Sequence, residues 1–140
     1  MPAKSPKVAP GLVAFVSAGP GDLELLSVRA VDLLRSAQVV IADADAAAVV
    51  NAYVSQAAQV SFAVDEAGAA LTPAARARLV ADASKSGVRV VRLLAGDAAL
   101  DASVVSEVAA IHKAGLPFEI APAASTVFAT PAYAGFTLAG

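Results

Sequence analysis

A chain of 140 residues, 58% of them apolar and with a net charge of −2, is long enough to bury one core and too hydrophobic to be disordered. Its basic residues are scattered, which excludes the electrostatic footprint of a nucleic-acid binder, and no apolar run approaches the ~18 uninterrupted residues of a membrane span. The absence of cysteine excludes disulfides and thiolate metal sites and is compatible with a cytoplasmic location.

Residues 1–10 read as a flexible tail in which Lys4 and Lys7 are solvated; no long apolar segment follows, so a signal peptide is not expected. Residues 11–140 read as one α/β domain. Leu12–Val16 is a buried-type strand ending in small residues. Ser27 is placed to cap a helix over Val28–Ser36, and Gln38–Ala42 is a second strand. Asp45–Ser55 is weakly helical, and Val60–Val64 suits a third strand. Thr72-Pro73 is a strong helix start, a hydroxyl cap followed by proline at the first helical position, and that helix runs to Ser86 before Gly87. Val88–Leu94 is the clearest strand; Asp101 then caps a helix to Ala114, stopped by Gly115. Phe118–Ala121 is a fifth strand, and a last helix begins near Ser125. Strands alternating with helices predict a mostly parallel five-stranded sheet flanked by helices.

In such a sheet ligands sit beyond the carboxyl ends of the strands. Three loops there carry unusual residues: Ser17–Asp22, Ala95–Ala99 and Pro122–Thr126. Gly19 and Gly21 let backbone approach a ligand closely, and Pro20 stiffens the turn. The spacing is neither a dinucleotide fingerprint nor a P-loop, and a plain strand-to-helix turn explains it equally well. Asp97 suits a ligand hydroxyl or amine, or a turn. Asp43 and Asp45 follow the second strand and suit a base, or the cap of the next helix. His112 has no metal-ligand partner in the sequence and reads as a surface residue; Ser17, Ser27 and Ser125 lack a histidine placed to activate them, which argues against a hydrolase. No metal site is expected.

Taken in order, these segments resemble one family. Val13–Ser27, with Ala18-Gly19-Pro20-Gly21-Asp22 at its centre, resembles the V-G-x-G-P-G-D-P-x-L-L-T opening of the tetrapyrrole methylases. Val90-Val91-Arg92-Leu93-Leu94-Ala95-Gly96-Asp97 resembles their V-V-R-L-K-G-G-D-P, Ala114–Pro122 their A-G-I-P-F-E-V-V-P, and Pro131-Ala132-Tyr133-Ala134-Gly135 the A-Y-A-G-I-P-L-T that closes their first domain. Within the family the nearest branch resembles the uroporphyrinogen-III C-methyltransferases, including actinobacterial forms fused to uroporphyrinogen-III synthase.

The resemblance implies a two-domain α/β enzyme of which this chain is the first half, the second domain lying outside it. It implies S-adenosylmethionine as methyl donor, with S-adenosylhomocysteine as product, and C-methylation of uroporphyrinogen III towards precorrin-2 in sirohaem and cobalamin synthesis. Cofactor contacts would fall on Pro20, Ala95, Gly96, Asp97, Leu100, Ser125 and Thr126; Asp43 would match the proton acceptor; and the protein would be a homodimer, binding neither nucleic acid nor membrane. Four departures from the family pattern stand against this. Ala44 stands where it has an arginine, Asp65 where it has a lysine, Ala95–Asp101 lacks its arginine and, Gly96 apart, its glycines, and Ala121–Thr126 stands where it has V-P-G-V-T-S. They support an alternative, a non-catalytic dimerisation or support domain of a fused protein. A nucleotide-binding module of another class would rest on Gly19–Gly21 alone. The isolated chain is expected to self-associate.

Overall fold

The computed structural model describes residues 11–98 and 101–137. The expectation of a flexible 1–10 tail therefore lies outside the described residues. Within them, five strands and five helices alternate: β1 (Val13–Ser17), α1 (Val28–Ser36), β2 (Val39–Ala42), α2 (Ala47–Tyr53), β3 (Gln59–Phe62), α3 (Pro73–Ser84), β4 (Val90–Leu94), α4 (Ala102–Lys113), β5 (Phe118–Ala121) and α5 (Thr126–Ala134). Short 3₁₀ turns at Leu23–Leu25 and Ala44–Ala46 precede α1 and α2.

Local chemistry sets the helix starts. The Ser27 hydroxyl accepts from the Ala30 N–H at 3.1 Å and the Thr72 hydroxyl from the Ala75 N–H at 3.2 Å. The Asp101 carboxylate accepts from the Ser103 N–H at 2.8 Å. Each oxygen satisfies an orphan N–H of a first helical turn, worth about 1 kcal/mol.

The sheet is parallel throughout, in the order β3-β2-β4-β1-β5. Both faces are covered, so β1 and β4 are buried at every position. On one face Ala14, Val16, Val40, Val91 and Leu93 meet Leu33 and Leu34 of α1 and Val49 and Val50 of α2. On the other, Val13, Phe15, Ile41, Val90 and Leu94 meet Val80 of α3 and Val104 and Ile111 of α4. β3 is shorter than Val60–Val64 suggests and exposed at all four positions, because it is an edge strand with one neighbour. α3 ends at Ser84, two residues before the expected stop. α5 buries none of its residues; Val127, Phe128 and Tyr133 are all at least half exposed.

Candidate functional site

The strand order turns back on itself between β4 and β1, whose onward connections leave in opposite directions, and such a switch point leaves a crevice at the carboxyl ends. The loops that follow both strands meet there. The Ala18 N–H donates to Leu94 O and the Gly19 N–H to Gly96 O, both at 2.8 Å, so the first loop runs as a short antiparallel bridge along the second. The buried Ser17 hydroxyl accepts from the Ala98 N–H at 3.1 Å. The third segment closes in from β5. A Cβ built on Gly19 would lie 3.1 Å from Ala123 Cβ and 3.4 Å from Ala124 O. Gly19 and Gly96 both have left-handed backbone, φ +72° and +79°, which explains why glycine stands at the two positions.

Pro20, Ala95, Gly96 and Asp97 are thus brought together, half-buried, around the Gly19–Gly96 bridge. Ser125 and Thr126 sit one step further out, at the start of α5. There Ser125 lines a groove of about 520 Å³ with Leu25, Phe128 and Tyr133. Leu100 lies outside the described residues. A second groove, about 480 Å³ and almost wholly apolar, runs beneath Asp97 and Ala98 between α4 and β5, past Val108, His112 and Phe118. His112 is exposed and meets the Phe118 ring edge-on, as a surface histidine would.

Asp43 directly follows β2, on the far side of β4. Its Oδ1 accepts from Arg92 Nη2 at 2.6 Å and its Oδ2 from the Ala95 N–H at 3.0 Å, so it is tied to the same loop as the glycine bridge. Sequence reasoning treats Arg92 only as one letter of a motif. In the structure it is a buried cation, 1% exposed, shared between Asp43 and Glu107. Burial by itself would lower its pKa; the hydrogen bonds and charge of Glu107 and Asp43 more than offset this and hold it above the ordinary arginine value. The signal was present: a strand buried on both faces has no outward position, so a charge within it demands a buried partner.

Asp65, expected from the resemblance to stand where the family pattern has a lysine, accepts through Oδ1 from the N–H groups of Ala67 and Ala69, both at 2.9 Å. The residue builds a turn in place of offering a cation. Among the described residues no cluster of three or more metal-ligating side chains forms, and no helix is long and apolar enough to cross a membrane.

A clasp joins the first loop to α5. The Tyr133 hydroxyl donates to Asp22 Oδ2 at 2.7 Å, while Asp22 Oδ1 accepts from the Glu24 N–H at 2.9 Å. The Glu24 N–H, then Tyr133, hold the Asp22 carboxyl below its ordinary 3.8, and Asp22 pushes the Tyr133 phenol above its ordinary 10.0. A lowered carboxyl stabilises at pH above its unfolded value and ceases to do so as pH falls through the folded one; a raised phenol stabilises below its unfolded value and ceases as pH rises through the folded one. The clasp therefore spans the whole range between. Alkaline titration followed by phenolate absorbance should show Tyr133 ionising late, and Asp22→Asn should remove the delay; an unchanged curve in that variant would show that the two groups do not interact.

Sheet order and site position define an open α/β domain of the kind that takes a small ligand at its strand ends. A family model described as tetrapyrrole (corrin/porphyrin) methylases matches residues 12–140, and the chain belongs to that family. It is 33% identical over 134 residues to siroheme synthase 1 of Aeromonas hydrophila, covering 95% of this chain and 29% of that protein. Among solved structures, it superposes with a TM-score of 0.77 on a cobalt precorrin-4 methyltransferase from cobalamin biosynthesis, at 27% identity, covering 91% of this chain and 52% of that one. The uroporphyrin-III C-methyltransferase of Thermus thermophilus, solved in complex with S-adenosylhomocysteine, superposes with a TM-score of 0.70 at 30% identity, covering 86% and 48%. The chain spans under a third of its curated relative and about half of these solved chains.

Proposed function

We propose that this chain is the cofactor-side, N-terminal half of an S-adenosylmethionine-dependent methyltransferase that C-methylates uroporphyrinogen III towards precorrin-2 in sirohaem and cobalamin synthesis. The observation that carries the reading is the convergence of three small-residue loops on the Gly19–Gly96 bridge. Support comes from a 30% identical neighbour of this family that was solved with S-adenosylhomocysteine.

The residues suit that ligand. Ala95, Gly96, Ala123 and Ala124 carry nothing beyond Cβ, and a Cβ on Gly96 would meet no atom within 4 Å, so the loop surface at Gly96 leaves room for a close approach. Pro20, Ala95, Gly96 and Asp97 would hold the cofactor from one side and Ser125 and Thr126 from the other, with Leu100 as a further contact. Bound S-adenosylmethionine supplies a methyl group already activated by the sulfonium, so the protein's task is alignment. Asp43, whose side chain is 27% exposed, is the proton acceptor in this reading. The proton lost from a methylated, cationic pyrrole ring is strongly acidic, and a carboxylate paired with a guanidinium is a sufficient base for it. Homodimeric assembly belongs to the same proposal and is supported by the uncovered apolar side chains of α5.

A second reading, a non-catalytic dimerisation or support domain of a fused protein, is favoured by one observation: Ala44 and the turn-building Asp65 stand where the family pattern has cations for substrate carboxylates. Charge-assisted hydrogen bonds of that kind are worth roughly 1.5–3 kcal/mol each. Calorimetric titration of S-adenosylhomocysteine into the protein should give saturable binding at micromolar to submillimolar ligand. No heat at millimolar ligand would sink the methyltransferase reading and leave the second.

A further inference from the structure

Arg92 lies at the middle of β4, in register with Phe15 of β1 and Ile41 of β2, and points into the apolar layer beneath α3 and α4. A guanidinium there is costly to desolvate and is tolerated only when fully paired. Arg92 is. Its Nε donates to Glu107 Oε2 at 2.8 Å, Nη1 to Leu93 O at 2.8 Å, and Nη2 to Asp43 Oδ1 at 2.6 Å. Glu107, fully buried in α4, also meets Arg76 Nε of α3 at 2.6 Å, an ion contact without hydrogen-bond alignment; Arg76 Nη2 donates to Ser103 Oγ at 2.9 Å.

The four charges cancel and form a line, Arg76–Glu107–Arg92–Asp43, that crosses from the outer helices to the carboxyl edge of the sheet. For stability alone an apolar side chain at position 92 would serve as well, since buried ion pairs rarely gain over packed hydrophobes. The most exposed member of the line is Asp43, at 27% against 11% for Arg76. Asp43 is also the member that holds a site loop: its second oxygen takes the Ala95 N–H.

We infer that Arg92 is a positioning residue of the site: through Asp43 it sets the acceptor carboxylate and pins the Ala95–Asp97 rim to the end of β2, with Glu107 and Arg76 fixing the guanidinium from behind. The inference rests on the methyltransferase reading for what the rim binds, but not for the pinning itself.

The test uses the whole chain and three variants. Arg92→Lys keeps the charge yet cannot fork to both carboxylates. Asp43→Asn sits at the partly exposed end and spares the core, and the third variant combines the two. Amide exchange by NMR should rise at least tenfold at Ala95 in both single variants while Val91 and Leu93 of the same strand stay protected, with no further rise in the double variant. Affinity for S-adenosylhomocysteine should fall about tenfold in each single variant and no further in the double. Exchange that rises evenly along β4 would overturn the inference, leaving Arg92 a merely structural residue; so would unchanged exchange at Ala95 in Asp43→Asn. If the parent chain does not bind S-adenosylhomocysteine but the exchange pattern holds, the pinning stands and the methyltransferase reading falls.

Discussion

Glu107→Ala should cost the fold about 3–5 kcal/mol, the range for removing one partner of a buried ion pair. Glu107 is fully buried and is the counter-charge for both Arg92 and Arg76. Alanine leaves two guanidinium groups facing each other across a void, one of them 1% exposed with nowhere to reach water. Total stability for a domain is about 5–15 kcal/mol, so the loss would be a large share of it. Urea unfolding of parent and variant measures it directly. A change below about 1 kcal/mol would mean that water reaches the pair and that the network is screened.

The second large effect falls on Gly19. Valine there must adopt φ +72°, which costs an L-residue about 1–2 kcal/mol. Its branched side chain must also displace Ala123, whose Cβ already lies 3.1 Å from where the first new carbon would go; overpacking of this kind adds about 1–3 kcal/mol. The movement opens the seam between the first and third loops, so affinity for S-adenosylhomocysteine should fall by more than about tenfold, or 1.4 kcal/mol. For stability, Gly96→Ala is the comparison: it also needs a left-handed backbone, but its Cβ meets nothing within 4 Å. If both variants unfold alike, close approach of the loops does not matter and only the backbone angle does.

The fold was legible because its local signals agree with one another. Ser27, Thr72-Pro73 and Asp101 mark helix starts by chemistry that does not depend on tertiary context, and β5 runs over Phe118–Ala121 as its residues suggest. Alternation of strand and helix then leaves a parallel sheet as the natural architecture, and the sheet is parallel without exception. Boundaries slipped where neighbours decide them: β3, with one partner, begins one residue before and ends two residues before the expected Val60–Val64, at Gln59–Phe62. That the three loops share the carboxyl edge followed from the expected sheet, but the close contact of Gly19 with Gly96 and Ala123 did not, since the three are far apart in sequence and each suits an ordinary turn. The ion line was hidden for a different reason. Glu107 sits in a helix rich in alanine and valine, where a lone acid reads as solvated; only the packing of α4 on the sheet turns it inward.

The strand order also governs when the fold can form. β1 never pairs with β2; its neighbours are β4 and β5, with Val13 opposite Val90 and Phe118. During synthesis the most apolar early segment, Val13–Ser17, therefore leaves the ribosome with no hydrogen-bonding partner and waits for more than half the chain. Fragments ending before Val90 lack the strand that β1 pairs with, so the sheet depends on non-local pairing of the kind that slows folding and leaves strand edges exposed meanwhile.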